Sequence, residues 1–347
     1  MTRRHNLDYL RGFAAFSIMI YHYLVCTVGR FSADSVMGRY GIYGVGIFFV
    51  LSGLTLYLVH HENMKLSAQG LFNFFKKRVF RIFPLLWVVV FASVLLEKKT
   101  PHLSTVFMNL SGLFSLVNWN GYIGTGVWSI GNELVFYLFF PVIVFLSRDH
   151  KTAFWITSLA VFLVYVYFGF IILDTNKETW EQWRNYVNPL NQAFLFMGGF
   201  LIGYLFKNTE VKNKISLLVL ATGVSLLLFY PVEGTTIHLV TGFNRLVFTI
   251  SCFLICWGFY KLNYVLPPII HKPLIFLGHA SYSVYMLHPL VYTIFGLCVP
   301  AEAALPDPAK FILCVIITLV LSYFSYTYFE KFFMKLGREN QGRPVGS

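Results

Sequence analysis

Long apolar stretches joined by short polar segments dominate the chain, and their lengths suit helices rather than strands. A helix that crosses a bilayer needs about 20 mostly apolar residues. Ten segments qualify: 7–29, 41–60, 79–97, 127–147, 153–173, 189–206, 214–231, 243–262, 273–299 and 310–330. The stretch 103–118 is too short and too polar to span comfortably and reads as a re-entrant or interfacial helix. The pattern therefore predicts an all-α fold, a polytopic transmembrane helix bundle of about 10 spans. Residues 1–337 are expected to form a single transmembrane domain, followed by a polar, disordered tail over 338–347. The start, MTRRHNLDYLRG, is basic like a signal peptide, but no small-residue cleavage site stands out, so the first apolar segment reads as a retained first helix.

Composition agrees. The chain is 57% hydrophobic and only 12% charged, whereas soluble domains carry about 25% charged residues. The expected solvent is a lipid bilayer. The net charge of +12 would also suit nucleic acid, but the placement of the charges says more than their sum. With the N-terminus in the cytoplasm, the inner segments hold Arg3, Arg4, Lys65, Lys76, Lys77, Arg78, Arg81, Arg148, Lys151, Lys207, Lys212, Lys214, Lys261, Lys272, Lys331, Lys335, Arg338 and Arg343. The outer segments hold far fewer, Arg30, Arg39, Lys98, Lys99, Lys177, Arg184 and Lys310, while Arg11 and Arg245 are intramembrane. This bias predicts both termini cytoplasmic in a multi-pass protein of the cell inner (plasma) membrane, and no nucleic-acid partner. The five cysteines lie in apolar runs without a CxxC pair and read as packing residues, with no disulfide framework and no metal site.

Ionisable side chains inside a span cost several kcal/mol and are functional suspects by default. Arg11 and His22 share the first helix; eleven residues bring them to within about 20° of one face, about 16 Å apart along the axis. Asp8, one turn before Arg11, is positioned to pair with it. A structural ion pair at Asp8–Arg11, with His22 bonded to a neighbouring helix, is the competing account. His22, Glu133 and His288 fall at similar depth in the outer half of the bilayer, which a shared acid–base site requires. Ser129, Glu133 and Tyr137 recur every four residues, and Ser281, Tyr285 and His288 at spacings of four and three. Such stripes also serve as polar glue between helices, the reading favoured for Ser129, Tyr137, Ser281 and Tyr285, which otherwise are candidate substrate contacts beside His288. Lys76, Lys77, Arg78 and Arg81 cluster in FFKKRVFRIFP. Alone they would read as a topogenic or headgroup anchor; functionally they suit phosphate, since arginine forks make bidentate contacts.

These residues occur within LDYLRGFAAFSIMIYHY, GVGIFFVLSGLTLY, RVFRIFP, VWSIGNELVFYLFFP and LGHASYSVYMLHPLV, in that order. Together the segments resemble the acyltransferase 3 family of membrane O-acyltransferases, from residue 7 to about 330. Gly131-Asn132 before Glu133 departs from the family's usual pattern but leaves the acid in place, and 176–193 shows no convincing match. Some members carry a fused extracytoplasmic domain, for which this sequence is expected to be too short. The resemblance implies transfer of an acyl group, by default acetyl, from cytoplasmic acetyl-CoA to a hydroxyl of a carbohydrate acceptor such as the O-antigen of lipopolysaccharide or an exopolysaccharide. It implies catalytic roles for His22, Glu133 and Arg11, and donor binding by Arg78 and Arg81 with Lys76 and Lys77 beside them. His22 is then either a general base oriented by Glu133 or a nucleophile forming an acyl-histidine. On physics alone, a transporter or flippase of a sugar or lipid-linked substrate fits the intramembrane charges and the Gly-rich Met197-Gly198-Gly199 equally, although no inverted repeat is visible.

Overall fold

The computed structural model describes residues 5–96, 100–298 and 306–338. The tail expected over 338–347 lies outside the described residues apart from Arg338, as do Lys98 and Lys99. The chain folds as α1 (His5–Val28), α2 (Val36–His60), α3 (Ala68–Leu96), α4 (Leu103–Ser111), α5 (Phe114–Val117), α6 (Val127–Asp149) and α7 (Lys151–Tyr167), the last continued by a π-helical turn. There follow α8 (Trp183–Tyr186), α9 (Pro189–Phe206), α10 (Asn213–Phe229), α11 (Gly242–Lys261), α12 (Pro268–His279), α13 (Ser281–Cys298), α14 (Asp307–Phe324), a second π-helical turn, and α15 (Lys331–Leu336). There is no strand among the described residues.

Local chemistry sets several of these starts. Ser35 Oγ accepts from the Gly38 amide at 2.9 Å to open α2, and Asn188 caps α9 with Pro189 in the first turn, where a missing amide costs nothing. Among the described residues, eight helices are long and apolar enough to cross a membrane, nine when α12 and α13 count as one span. The expected span 214–231 is α10, whose 17 residues make it the short member. The stretch 103–118 folds as α4 and α5, neither long enough to cross. Many bulky apolar side chains face outward, among them Leu95, Ile156 and Leu218. With the family assignment below, they describe a multi-pass membrane protein.

The joints gather at two ends. At one, Lys207 pairs with Glu62, Arg148 donates to the Met64 carbonyl at 2.8 Å, and Lys261 donates to the Thr209 carbonyl at 2.7 Å. At the other, the Ala33 amide meets the Gly234 carbonyl at 2.8 Å, and Trp119 Nε1 meets the Arg184 carbonyl at 2.8 Å. This is the division that alternating crossings predict. The first end, hereafter the basic end, carries most of the lysines.

Sequence and structure part at 273–299. The expected single helix bends by 73° between α12 and α13. Two backbones in close contact explain it. A Cβ on Gly278 would lie 2.2 Å from the Asp8 carbonyl oxygen, and one on Gly12 would lie 2.7 Å from the Gly278 amide nitrogen. With α12 held across α1 there, α13 leaves at a new angle and runs up the side of α1. At the centre, α2 packs against α1, α9 and α11. Of the cysteines, all free, Cys252, Cys256 and Cys314 are buried as packing residues, whereas Cys26 and Cys298, near the ends of α1 and α13, are exposed.

Candidate active site

Lipid satisfies no hydrogen bond, so polar side chains in a bundle turn inward and find one another. Here Arg11 of α1, Arg78 and Arg81 of α3 and Glu133 of α6 line one cavity of about 170 Å³. Ser129, Tyr137, Ser281 and Tyr285 line it too, so the residues read from sequence mainly as polar glue face the same space as the charges. Ser129 and Tyr285 also act as glue: their hydroxyls lie 2.8 Å apart and both reach the Gly126 carbonyl. Lys76 and Lys77 do not line the cavity. They sit half-buried near the start of α3, Lys76 against the Phe80 ring. At 29 residues, α3 is about 43 Å long, more than a hydrocarbon core of about 30 Å requires. Its first turns therefore extend past the span, and only Arg78 and Arg81 reach inward.

The three arginines are compensated unequally. Arg81 pairs with buried Glu330 at 2.8 Å, and Glu330 is held in turn by Ser283. Arg11 lies 3.8 Å from Asp8 and 3.4 Å from Thr55 Oγ1, the pairing expected from their spacing. Arg78 makes no carboxylate ion pair among the described residues. Its Nη2 meets His60 Nε2 at 2.8 Å, its guanidinium stands over the Tyr137 ring at 5.3 Å, and its Nε has no hydrogen-bond partner among the described residues. A half-buried guanidinium whose Nε is enclosed and unsatisfied costs free energy and is suited to receive an oxyanion such as a phosphate. Glu133 accepts from Ser52 Oγ at 2.8 Å and from the Tyr137 hydroxyl.

His22 and His288 lie just beyond Tyr285, whose ring centre is 5.9 Å from that of His288. His22 Nδ1 and His288 Nε2 are 2.9 Å apart, and the rings stack at 4.9 Å. His288 is fully buried, and its Nδ1 lies 3.0 Å from the Val284 carbonyl. A carbonyl only accepts, so His288 Nδ1 carries hydrogen. In a neutral ring Nε2 is then the acceptor, and His22 Nδ1 must donate to it. This leaves His22 Nε2 with its lone pair available. Tyr23 anchors the pair from behind, donating to the His288 carbonyl at 2.9 Å and meeting Thr318 Oγ1 at 2.6 Å.

The expected pairing of Glu133 with His22 is absent. His288 occupies that place, and Glu133 turns toward Ser52, because equal depth fixes height along the bundle but not the direction a side chain takes around its helix. Sequence reasoning also passed over Glu330, His60, Ser52 and Thr55. For Glu330 a signal existed: it is an acid in the mostly apolar run SYTYFEKFF. Arg245 of α11 bonds Asn191 and stacks 3.6 Å from the Tyr165 ring, outside this cavity.

A family model described as an acyltransferase domain matches residues 4–327. The chain belongs to the acyltransferase 3 family. Among curated relatives is O-acetyltransferase OatA of Staphylococcus aureus strain NCTC 8325. It is 25% identical over 361 residues, covering 96% of this chain and 57% of the relative. Putative O-acetyltransferases of S. aureus strains COL and MSSA476 are likewise 25% identical over 364 residues, with the same coverage. The chain thus spans a little over half the length of the curated relatives it matches. No solved structure gives a significant match.

Proposed function

We propose that this chain transfers an acetyl group from cytoplasmic acetyl-CoA to a hydroxyl of a cell-surface or periplasmic carbohydrate, of the kind found in O-antigen or exopolysaccharide. The observation that carries this reading is His22, its Nε2 lone pair left free by His288, standing beyond an arginine-lined cavity in an acyltransferase 3 domain. The relatives named O-acetyltransferase support acetyl as the group and oxygen as its destination. The excess of lysine and arginine at the basic end supports a cytoplasmic location for that end in the plasma membrane, and so for both termini.

Donor phosphates bind at Arg78 and Arg81, with Arg11 farther along. The pantetheine arm extends toward His22, which lies about 16 Å from Arg11 along α1, and the thioester rests beside the imidazole. The carbohydrate enters from the opposite face. His22 Nε2 takes the proton of the acceptor hydroxyl as its oxygen attacks the thioester carbonyl. The tetrahedral intermediate collapses, the carbon–sulfur bond breaks, and the thiolate leaves with the proton returned from His22. His288 orients the ring through Nδ1. Glu133, with Ser52 and Tyr137, balances the arginines and fixes the cavity wall. The reading is tested by mass spectrometry of the surface polysaccharide from cells with and without the intact gene. Loss of one acetyl mass per acceptor unit is expected, and an unchanged spectrum would overturn the proposal.

Two predictions concern individual side chains. Arg78→Gln removes the cation that would meet the donor phosphates. A charged hydrogen bond is worth about 1.5–3 kcal/mol, so the KM for acetyl-CoA should rise about 10- to 100-fold with a smaller change in kcat, while Lys76→Gln and Lys77→Gln shift KM only about threefold or less. Radiolabelled acetyl transfer in isolated membranes over a range of donor concentrations measures all three. For His288, leucine removes the acceptor that sets the His22 tautomer and should reduce kcat about 100-fold, whereas glutamine, whose amide oxygen accepts the same hydrogen, should reduce it only about 10-fold. Equal losses would show that His288 contributes bulk alone.

A further inference from the structure

An open groove of about 330 Å³ lies between α12 and the segment that joins α14 to α15, separate from the arginine cavity. Its chemistry follows from helix periodicity. His271, Ile275 and His279 recur every four residues on one stripe of α12, with Lys272 beside them. Lys331 converges from the other wall, its Nζ 4.8 Å from the centre of the Tyr326 ring. Phe276 and Tyr323, whose rings lie 5.5 Å apart, add apolar surface to the lining. No aspartate or glutamate lines the groove, although Asp8 approaches His279 from α1 at 4.0 Å. Two lysines and two histidines thus meet across a space of ligand size with no acidic lining residue.

The borders indicate what enters. Exposed apolar side chains adjoin the lining residues in sequence: Ile269 and Ile270 precede His271 on α12, and Phe324 and Tyr328 adjoin Tyr323 and Thr327, with Ile269 exposed by 83% and Tyr328 by 67%. A soluble anion gains nothing from such rims. A ligand with a phosphate head and acyl chains gains from both, because basic pockets between transmembrane helices attract anionic headgroups while apolar side chains at the rim receive the tails. We propose that this groove is a binding site for one anionic phospholipid of the leaflet at the basic end, its phosphate held by Lys272 and Lys331 and its chains lying against Ile269 and Tyr328. The inference is independent of the acetyl-transfer reading and applies equally to an inactive chain.

The test uses the full chain in phosphatidylcholine nanodiscs titrated with dioleoylphosphatidylglycerol, with bound lipid counted by native mass spectrometry. Lys272→Gln with Lys331→Gln should weaken binding of the first phosphatidylglycerol about tenfold. The charge-matched pair Lys151→Gln with Lys212→Gln, on exposed residues that do not line the groove, should leave it unchanged. Lys272→Arg with Lys331→Arg keeps both charges and should retain binding, which separates a lost site from a damaged fold. Equal weakening in both glutamine pairs would reduce the effect to general surface charge and overturn the site, as would full binding in the Lys272/Lys331 pair. Displacement of the lipid by inorganic phosphate or adenosine 3′,5′-bisphosphate at concentrations matching the lipid's own affinity would assign the groove to a soluble phosphate instead, and the lipid proposal would fall.

Discussion

Replacing His22 with alanine is expected to lower acetyl transfer at least about a thousandfold while the protein remains in the membrane at normal abundance. A positioned general base contributes about 10²–10⁴ in rate, and in the proposed reaction no second group is placed to take the hydroxyl proton. His288 keeps an Nε2 lone pair once His22 is gone, but the residue is fully buried, which keeps it from the acceptor hydroxyl. The structural cost should be small. His22 is only half-buried, and its loss leaves one unpaired nitrogen on His288, a penalty of about 1–3 kcal/mol. Donor affinity should also survive, because His22 is not among the residues lining the arginine cavity. The discriminating pattern is therefore absent transfer with intact acetyl-CoA binding, measured by radiolabelled transfer to a membrane sugar fraction beside equilibrium binding on the same preparation. Full activity in the variant would remove His22 from the chemistry. A transporter without acyl chemistry would show no labelled product even in the parent chain.

That this histidine can be singled out from sequence follows from how lipid restricts residue choice. Where most positions must be apolar, Arg11, His22, Glu133 and His288 stand out individually, and helical geometry then gives their heights. The helices themselves were legible for the same reason, down to the doubtful character of 103–118. What one-dimensional pattern does not carry is azimuth and bending. The bend between α12 and α13 depends on two glycines from distant helices meeting at Asp8, and glycine within an apolar run carries no mark of its partner. That bend sets the path by which α13 brings His288, rather than Glu133, to His22. Lys76 and Lys77 adjoin Arg78 in sequence but leave α3 in other directions, 100° of rotation per residue being enough to take them out of the cavity. Glu330 ends a π-helical turn whose extra rotation no apolar period announces.

The second large effect should fall on folding rather than chemistry. Between α2 and α9, a Cβ on Gly199 would stand 1.9 Å from the Val50 carbonyl oxygen, and one on Gly53 would stand 2.0 Å from that of Phe196. Each glycine thus lets the facing backbone approach, the device that replaces the hydrophobic effect where helices pack within lipid. Gly199→Val adds a branched side chain against main-chain atoms that have no rotamer to change, so the helices must separate. Overpacking of this kind costs about 1–3 kcal/mol in ordinary cores, and the upper part of that range or beyond is expected here, because α2 also carries Ser52 and Thr55 to Glu133 and Arg11. Fluorescence-detected size-exclusion chromatography after detergent extraction should show the monodisperse peak largely lost and the melting midpoint of any remainder lowered. Gly296→Ala provides the contrast. It lies in α13 with no atom of the described residues within 4 Å of the added carbon, and alanine is the better helix former by about 1 kcal/mol, so that variant should extract and melt at least as well as the parent. A normal peak for Gly199→Val would mean that α2 and α9 are not in backbone contact, and the wall that brings Ser52 and Thr55 to the arginine cavity would have to be redrawn.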